Sequence, residues 1–447
     1  MKESVVTVFP ETKLGTIKKL NGGNLAPAIT AEKAGGNIRR EFQALNIPIT
    51  RLHDASLDNA GARVVDIPMI FANFHADPAD ASNYYFAQTD DYIKNCIELG
   101  TGIIYRLGVS IEHGFNKYFT APPCDYEHWI NICDHIIRHY TEGWAGGFNF
   151  KILYWEIWNE PEACDVDGLH LMWGGSLKEY NAFYVKVATE LKKRFPHLKF
   201  GGPAHICANE PVTREFLAAC SQSHAPLDFY SWHCYSQNVT DMTEQVHLVK
   251  QWLVDAGYPQ TELHLNEWHY FPADWAKLRA DKGYLRNVYE NVIKGVDAAA
   301  FLGAVLTAWQ DTPLDVGCYY TVTANHWGLF SLYSEPTKSY YGMKAFGEII
   351  EYRDRIKTVT ETEHVYALAG RNRAGEMALL VSCFGAHVDT LKIYIEGDNL
   401  IAPEQCRIEI LDEEHDLEQI SPVIMPTHIE LPIKSESAVI VLKLNIS

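Results

Sequence analysis

Two glutamates of this chain each close an apolar, β-prone segment. Glu160 follows the segment 152–158, and Pro161 stops that strand, because proline cannot donate to a β-ladder and pushes the preceding residue into an extended conformation. Glu267 ends a second such segment, 262–267. A carboxylate at the end of a buried strand is costly to bury without a partner or a purpose. A salt bridge would satisfy one such glutamate, whereas two of them indicate chemistry.

A pair of facing carboxyls is suited to glycoside hydrolysis. One carboxyl protonates the leaving oxygen while the other attacks the anomeric carbon, at a separation of about 5–5.5 Å in retaining enzymes. Two neighbouring carboxylates resist double ionisation, so one of them keeps its proton near neutral pH. Glu160 and Glu267 lie 107 residues apart (267 − 160), a plausible length for three βα units. We therefore expect them on two strands that face each other across one site.

The elements that would position this pair alternate between strands and helices from about residue 15 to 350. Apolar residues recur at i, i+3, i+4 and i+7 in segments such as 126–140 and 177–195, which is the helical spacing. Eight strands, each followed by a helix, predict an α/β fold of the (β/α)8 TIM-barrel type. A doubly wound sheet is disfavoured because segment 20–27 lacks the G-x-G-x-x-G loop. The predicted strands are 16–20, 48–52, 101–107, 151–158, 198–202, 227–233, 262–267 and 303–309.

The pattern changes after about residue 355. Short β-prone segments follow one another, joined by Gly, Asp, Asn and Pro turns, with no helical period between them. This pattern predicts a small antiparallel β-sandwich. The N-terminal segment 4–10 has no place in the barrel and could add a strand to the sandwich. We therefore expect a catalytic barrel over residues 15–352 and an accessory β-sandwich domain formed by residues 1–14 and 353–447.

Barrel enzymes carry their active sites at the carboxyl ends of the strands. Polar, titratable and aromatic side chains gather at the predicted strand ends, with Glu160 on strand four and Glu267 on strand seven. These strands lie across the barrel mouth from each other, so the two side chains can converge over its axis. The other candidate residues at this rim are Arg51, His53, Glu112, Asn159, His233, Tyr235 and Trp309. Several of them could instead be hydrogen-bonded core residues, which is the usual state of a buried His or Tyr.

The motif WEIWNEP at 155–161, followed by a strand-seven glutamate, resembles the clan A retaining glycoside hydrolases. Within that clan the chain is most similar to family 39, the β-xylosidase and α-L-iduronidase family. The resemblance spans nearly the whole chain and includes RLHD at 51–54, GGPA at 201–204, DFYSWHCY at 228–235 and the trailing β-sandwich. The Asn-Glu-Trp sequence at 266–268 is similar instead to the Asp-Glu-Trp of family 51 arabinofuranosidases.

The resemblance implies a role for most of the rim residues. Glu160 would be the acid/base and Glu267 the nucleophile of a double displacement through a covalent glycosyl-enzyme, with no metal and no cofactor. Asn159 would bind the 2-hydroxyl of the sugar, and Arg51 would hold Glu267 ionised. The remaining expected roles are orientation of the nucleophile or substrate by His233 and Tyr235, a ring-hydroxyl contact by His53, and a floor under the sugar formed by Trp309. Glu112 is expected to be a polar substrate contact.

Aromatic residues are frequent in the predicted loops 55–81, 161–176 and 310–337. Loops of this kind could close one end of the site into a pocket, since sugar rings stack on aromatic faces. This favours an exo-acting enzyme on a β-linked sugar of an oligosaccharide or glycoside. Two alternatives stay open, a family 51-like α-L-arabinofuranosidase and a non-catalytic carbohydrate-binding barrel.

The composition excludes some other classes of function. The net charge of −19 and the pI of about 5.4 argue against a nucleic-acid or anionic-membrane partner, because both require a basic surface. No apolar run reaches about eighteen residues, so no transmembrane helix is predicted. The N-terminus lacks the pattern of a secretory signal, so we expect a cytoplasmic protein or a trimmed secreted one. The ten scattered cysteines contain no C-x-x-C pair and are expected to be free thiols, with no zinc site.

Overall fold

The computed structural model describes residues 2–27, 37–54, 63–112, 117–165, 167–397, 406–425 and 427–444 of the 447-residue chain. Eight parallel strands close into a barrel, since each pairs with its neighbours in the chain and the first also pairs with the last. The predicted α/β TIM barrel is confirmed. After β1 (Glu3–Thr16), the barrel strands are β2 (Gly22–Asn24), β3 (Ile49–Leu52), β4 (Gly102–Leu107), β5 (Tyr154–Ile157), β6 (Lys199–His205), β7 (Phe229–Ser236), β8 (Glu262–Tyr270) and β9 (Val316–Tyr319).

Helices connect the barrel strands and bury their apolar faces against them. The longest shows clear start and stop signals: Ser176 and Glu179 form a capping box at its N-terminus, its last turn is basic, and Pro196 follows. The helices are α1 (Arg39–Ala44), α2 (Ile67–Ile70), α3 (Ala87–Glu98), α4 (Tyr126–Thr141), α5 (Leu177–Arg194), α6 (Glu210–Gln222), α7 (Val239–Asp255), α8 (Trp275–Ala280), α9 (Lys282–Glu290), α10 (Val296–Ala308) and α11 (Lys338–Ile349).

Two of the eight predicted barrel strands are wrong, the first and the last. Residues 303–309 were expected to be a strand, but they lie in α10 and the turn after it, and strand eight is β9. Nearly every residue of α10 is buried, so the helix lacks the alternation of polar and apolar faces that normally reveals a helix. The first barrel strand is β2 rather than 16–20, and its sequence Gly-Gly-Asn has little β propensity.

The remaining ten strands form one curled sheet in the order β15-β14-β18-β12-β11-β10-β1-β13-β17-β16. The prediction of a wholly antiparallel sandwich is wrong at one pair, because β1 runs parallel to β13. The sheet surrounds an apolar core of its own, to which β1 contributes Val6 and Val8. The strands after the barrel are β10 (Asp354–Thr360), β11 (Val365–Arg371), β12 (Met377–Cys383), β13 (Thr390–Ile395), β14 (Cys406–Leu411), β15 (Asp416–Ile420), β16 (Val423–Ile424), β17 (Ile429–Pro432) and β18 (Ala438–Leu444).

Strand β12 joins this sheet to the barrel, and it is buried along its whole length. Its alternate side chains point to opposite faces: Leu379 and Val381 enter the core of the curled sheet, whereas Leu380 joins the main core of the barrel. The hydroxyl of Ser382 donates to the carbonyl of Ala300 in α10 at 2.6 Å. Helix α10 is therefore covered by the barrel on one side and by the sheet on the other, which explains why it is apolar all round.

Two general predictions can be compared with these residues. All ten cysteines lie in the described ranges and are free thiols. Within the same ranges no single helix is long and apolar enough to cross a membrane, and one helix pair, Lys282–Lys294 with Val296–Asp311, passes by length and composition but is bent by 52°.

Candidate active site

Glu160 lies in the turn that follows β5. Trp158 and Glu160 have φ angles of 72° and 41°, in the left-handed region that non-glycine residues rarely adopt. The backbone N–H of Glu160 donates to the carbonyl of Ala204 at 2.9 Å, which ties the turn to the end of β6. Residues with such strained backbones persist only where the surrounding structure holds them, and they cluster at functional sites. The turn therefore holds the Glu160 carboxyl in one place, close to β7 and β8.

Glu267 lies within β8, which continues three residues beyond the predicted end, to Tyr270. The side chain is buried, and each of its oxygens accepts a hydrogen bond. Arg51 donates from Nη1 to Oε2 at 3.1 Å, and the hydroxyl of Tyr235 donates to Oε1 at 2.5 Å. Hydrogen bonds from donors of this kind favour the charged form of a carboxyl group. Arg51 and Tyr235 thus lie where the sequence predicted contacts with Glu267.

His233 of β7 lies between the two glutamates. Its Nδ1 is 2.7 Å from Oε1 of Glu160, and its Nε2 is 3.7 Å from Oε2 of Glu267. One ligand atom from each of the three side chains lies within 4.8 Å of the others. The carboxyl oxygens of Glu160 and Glu267 are therefore close enough to act on the two atoms of one bond in a substrate.

The surroundings of the two glutamates and of His233 change their proton affinities. Burial raises the pKa of Glu160 to about 7; the charge of Arg51 opposes this shift and the charge of Asp54 adds to it. Burial also raises the pKa of Glu267, against His233, Arg51 and the hydroxyl of Tyr235. Burial lowers the pKa of His233 to about 4, so its imidazole is neutral near pH 7. Glu160 is thus the carboxyl with a value suited to proton transfer near neutral pH.

Arg51 is the centre of a buried network that sequence reasoning found only in part. Its guanidinium donates to Glu156 at 2.7 Å, to Asn159 at 2.5 Å and to Glu267 at 3.1 Å. Glu156, which the prediction missed, also accepts hydrogen bonds from Ser231 at 2.8 Å and from Asn266. A fully buried carboxylate in the middle of an apolar strand was the available signal, because such a group requires a cation.

Asn159 and His53 have different surroundings. Asn159 accepts from Arg51 through Oδ1, so that its amino group remains as the donor for a substrate hydroxyl. His53 is almost fully buried, and both of its ring nitrogens face protein groups: Arg106 Nε lies 3.2 Å from Nδ1, and Asp54 lies 3.2 Å from Nε2. The predicted sugar contact of His53 stays a prediction, and the side chain of its neighbour Asp54 is the more exposed of the two.

The prediction that Trp309 forms the floor under the sugar is wrong. This residue follows a helix rather than a strand, is fully buried, and donates from its indole N–H to the carbonyl of Met242 in α7 at 2.9 Å. It packs on Trp268 and against Gly317, on the outside of the barrel. Tyr320 directly follows the last strand, and its hydroxyl donates to Asp54 at 3.0 Å; the prediction included it only as one of the aromatic residues of loop 310–337. The short β-prone segment 316–319 followed by Tyr320 was the available signal.

Glu112 lies in the loop after β4, and its carboxylate is used inside that loop. It accepts hydrogen bonds from the backbone N–H groups of Tyr118 at 2.8 Å and Phe119 at 2.9 Å. Its side chain thus stabilises the loop, and within the described residues it makes no hydrogen bond to the glutamate pair. The expected role as a substrate contact stays a prediction that this arrangement does not favour.

Aromatic rings form a wall beside Tyr235, which we call the aromatic wall: Tyr235, Phe271, Trp275, Tyr320 and Trp327. The rings of Phe271 and Trp275 stack at 4.2 Å between centroids, and Tyr235 meets Trp327 edge to face at 5.6 Å. Trp275 is nearly half exposed. The wall comes from the end of β7 and from the segments that follow β8 and β9. Of the loop predicted at 55–81, residues 55–62 lie outside the described part of the chain.

Glu160, His233 and Glu267 are also the described residues whose donor atoms are grouped closely enough to hold a metal ion. Two carboxylates and one imidazole would suit a divalent transition metal. In the present arrangement, however, the same atoms already bond to one another and to Arg51 and Tyr235. The expected absence of a metal and of a cofactor stays a prediction.

Comparison with known proteins agrees with this geometry. The family model described as "Glycosyl hydrolases family 39" matches residues 42–262. A β-xylosidase of Caldicellulosiruptor saccharolyticus is 25% identical over 375 residues, which are 74% of this chain and 70% of that protein. A β-xylosidase of Geobacillus stearothermophilus is 24% identical over 265 residues, 54% of this chain and 50% of that protein. The chain thus spans half the length of this second relative.

Two solved structures share the fold over almost the whole chain. A glucosidase of Croceicoccus marinus superposes with a TM-score of 0.80 at 19% identity, and 99% of each chain is covered. A monomeric β-xylosidase of Caulobacter crescentus superposes with a TM-score of 0.72 at 14% identity, covering 99% of this chain and 100% of that one. At these identities the likeness shows the fold alone.

Proposed function

Because this chain belongs to glycosyl hydrolase family 39, we propose that it is a retaining, exo-acting hydrolase of a β-linked sugar, similar in activity to a β-xylosidase. The observation that carries this proposal is the closeness of the Glu160 and Glu267 carboxyl groups, whose oxygens lie within 4.8 Å. Retaining enzymes separate their two carboxyls by about 5–5.5 Å, whereas inverting enzymes leave about 6.5–9.5 Å for a water molecule. The short separation supports a double displacement.

In the first step a Glu267 oxygen attacks the anomeric carbon as the glycosidic bond breaks, and Glu160 gives its proton to the departing oxygen. The product of this step is a glycosyl ester of Glu267. In the second step Glu160, now a carboxylate, takes a proton from water, and the resulting hydroxide attacks the anomeric carbon. The ester bond breaks, Glu267 regains its negative charge, and Glu160 again carries a proton.

The surroundings of the two glutamates support this division of roles. Glu160 has the pKa of about 7 that a group exchanging its proton in each turnover requires. Glu267 receives hydrogen bonds from Arg51 and Tyr235, which stabilise the carboxylate that attacks and the carboxylate that leaves. His233 lies between the two glutamates and is neutral near pH 7. Because it has not taken up a proton itself, Glu160 can be protonated while Glu267 is ionised.

The aromatic wall supports exo action. It is formed by the end of β7 and by the segments that follow β8 and β9, and it limits one side of the site beside Tyr235. A site closed on one side accepts the end of a chain and releases one sugar at a time. The test is the product pattern from an oligosaccharide: single sugars from the first time point are expected, whereas internal cuts at that point would exclude exo action.

A panel of aryl glycosides tests the substrate. We expect the highest kcat/KM with an aryl β-xyloside. A preference for an aryl α-L-arabinofuranoside would instead support the family 51-like alternative, to which the Asn266-Glu267-Trp268 sequence points. A wild-type protein that binds sugars but turns over no aryl glycoside would support the non-catalytic alternative.

Azide rescue tests the two glutamates separately. With an activated aryl β-glycoside, Glu267→Gly and added azide should form an α-glycosyl azide, because azide then attacks from the side of the missing nucleophile. Glu160→Ala and azide should form a β-glycosyl azide, because Glu267 still makes the covalent intermediate. Identical products from both variants, or rescue of neither, would contradict the assignment.

A further inference from the structure

Asp54 is a third carboxylate beside the catalytic pair, on the loop after β3. Its φ angle is 58°, in the left-handed region that costs energy for any residue with a side chain. Three elements hold its carboxylate. The N–H of Ile111 donates to Oδ1 at 2.9 Å, the hydroxyl of Tyr320 donates to Oδ2 at 3.0 Å, and Nε2 of His53 lies 3.2 Å from Oδ1. The loops after β3, β4 and β9 thus converge on one side chain.

The electrostatic effects of Asp54 indicate that its carboxylate lies near the catalytic groups. Its charge contributes to raising the pKa of Glu160, and it acts on His233 and Tyr320 in the same direction. Such effects weaken with distance, so Asp54 must lie close to the catalytic groups. Its side chain is 13% exposed, which leaves part of the carboxylate open.

The hydrogen bonds of Asp54 leave room for one more donor. A carboxylate can accept about four hydrogen bonds, two on each oxygen. Among the described residues, Oδ1 has two partners, Ile111 and His53, whereas Oδ2 has one, Tyr320. The open position is on the oxygen next to Tyr320, whose ring stands at the end of the last barrel strand. Sugar hydroxyls are donors that bind strongly to carboxylates, and sugar ring faces pack on aromatic rings.

We propose that Asp54 is a substrate-recognition residue, whose Oδ2 accepts a hydrogen bond from a ring hydroxyl of the sugar that is cleaved, while Tyr320 packs beside the same sugar. The inference rests on the proposed function, since it needs a sugar held between Glu160 and Glu267. Asn159 is expected to serve the 2-hydroxyl, so Asp54 serves a hydroxyl farther from the anomeric carbon, at C3 or C4. Asp54 therefore contributes to the choice of sugar.

The competing explanation is that Asp54 only holds the loops together. Asp54→Asn separates the two, because asparagine tolerates a left-handed φ and can still accept from Ile111. We expect kcat/KM for an aryl β-glycoside to fall about 10- to 100-fold, mostly through KM, as expected for the loss of a hydrogen bond to a charged group. Asp54→Gly, which relieves the backbone, should lose a similar factor, and it serves as the second variant if the first does not fold.

A series of deoxy sugars distinguishes a substrate contact by Asp54 from a purely structural role. Aryl glycosides that lack the 3- or the 4-hydroxyl are compared in the wild type and in Asp54→Asn. Removing the recognised hydroxyl should cost the wild type the same factor as the substitution and cost the variant nothing further. Equal losses for both deoxy substrates in the wild type and the variant would overturn the proposal.

The pH dependence supplies a second reading. Groups that face Glu160 and are unchanged in the variant are Arg51, Glu162, Cys207, His233, Tyr235, Glu267 and Tyr320. Removing the charge of Asp54 should therefore move the basic limb of kcat/KM to lower pH. An unmoved limb would mean that Asp54 does not face Glu160, and would overturn the proposal.

Asp412→Asn is the matched control. Asp412 is a buried carboxylate of the curled sheet that also accepts from backbone N–H groups, those of Glu414 and His415. This variant should change stability alone.

The deoxy series is also measured by calorimetric binding of the free sugars. A wild type that turns over no glycoside would contradict the proposed function. The calorimetric comparison of wild type and Asp54→Asn would still test the role of Asp54. Sugar binding that Asp54→Asn leaves unchanged would overturn that role.

Discussion

Two regions of the barrel are built on different principles. Strands β3, β5, β7 and β8, which we call the chemical strands, and the turn after β5 carry the polar network of Arg51, Glu156, Glu160, His233 and Glu267. Strands β9 and β2, which we call the seam, close the barrel through close packing. A Cβ atom on Gly22 would lie 2.5 Å from the carbonyl oxygen of Gly317. Residue types are thus set by charge satisfaction in the first region and by available space in the second.

This contrast has a measurable consequence. Substitutions on the chemical strands should change activity, and they should change stability only where they leave a buried charge without its partner. Substitutions at the seam should change stability first.

The largest effect is expected for Glu267→Ala. Removing the nucleophile removes the covalent route, so kcat should fall by about 10⁴-fold or more, as for other nucleophiles that act within a catalytic unit. The fold should be retained, because Arg51 keeps its bonds to Glu156 and Asn159. The measurement is kcat on an aryl glycoside together with the thermal unfolding midpoint. A loss of activity of less than tenfold would contradict the assignment of the nucleophile.

Glu156→Ala should affect both quantities. It leaves Arg51 without its closest carboxylate, and Ser231 and Asn266 without their acceptor. Breaking a buried ion pair costs about 3–5 kcal/mol, which we expect in the free energy of unfolding from urea titration. The control is Glu210→Ala, which removes the partner of Arg214 in an exposed pair and should leave the free energy of unfolding nearly unchanged, because water and salt screen such a pair. Equal effects of the two substitutions would show that the buried network contributes nothing special.

The same contrast explains what could be predicted from the sequence. Glu160 was found because a proline marks the end of its strand, and Glu267 because it follows an apolar segment. The neighbouring residues in the sequence are sufficient to identify such positions. The seam was missed because the Gly-Gly-Asn sequence of β2 has no local preference for a strand, and only the packing of Val322 against Gly23 explains it. Propensity and periodicity report on local structure, whereas this requirement comes from a distant part of the chain.

Other misses have the same cause. Helix α10 looks like a strand because the curled sheet covers its outer face, and nothing within its sequence reveals that cover. Glu156 has no motif of its own, since its role depends on Arg51, which is 105 residues away. Asp54 and Tyr320 meet from opposite ends of the barrel sequence. The meeting of Glu160 and Glu267 was thus predictable, whereas the groups that hold and surround this pair required the three-dimensional structure.

Gly23→Ala tests the seam. The added Cβ would lie 2.4 Å from both methyl groups of Val322, so that β2 or the chain after β9 must shift. Overpacking of this kind costs about 1–3 kcal/mol, which should be visible in the free energy of unfolding. The control is Gly283→Ala in α9, where the nearest atom is the flexible carboxylate of Asp281 at 3.3 Å. That control should be neutral or slightly stabilising, because alanine favours a helix. A neutral Gly23→Ala would mean that the seam adapts easily.

The pH profile tests the chemical strands. Glu160 must carry its proton in the first step, and its pKa is raised to about 7, so the active form is lost as the pH rises through this value. Above it, kcat/KM should fall about tenfold per pH unit. A glycoside whose leaving group needs no protonation should show a much weaker basic limb. If both substrates showed the same basic limb, a group other than Glu160 would be titrating. Glutamine at position 160 cannot titrate, so Glu160→Gln should abolish the weak basic limb that remains with the activated substrate.

Trp309→Phe tests the smallest difference and the corrected position of this residue. The substitution removes the hydrogen bond to the carbonyl of Met242 and part of the packing against Gly317. We expect a loss of about 1–2 kcal/mol in the free energy of unfolding, since a buried carbonyl loses its donor and a small cavity forms. The KM for aryl glycosides should stay unchanged, because the ring lies outside the barrel.

Trp268→Phe is the matched comparison for stability. Trp268 is equally buried and packs on Trp309 at 4.8 Å, but its indole N–H has no hydrogen-bond partner among the described residues. Phenylalanine there removes ring volume without breaking a hydrogen bond, so it should cost less than Trp309→Phe. If Trp309→Phe raised KM several-fold without changing stability, the original prediction that Trp309 contacts the sugar would be supported. The expected result, lower stability at constant KM, would assign it to the packing of the seam, because only a residue outside the mouth can affect folding without affecting substrate binding.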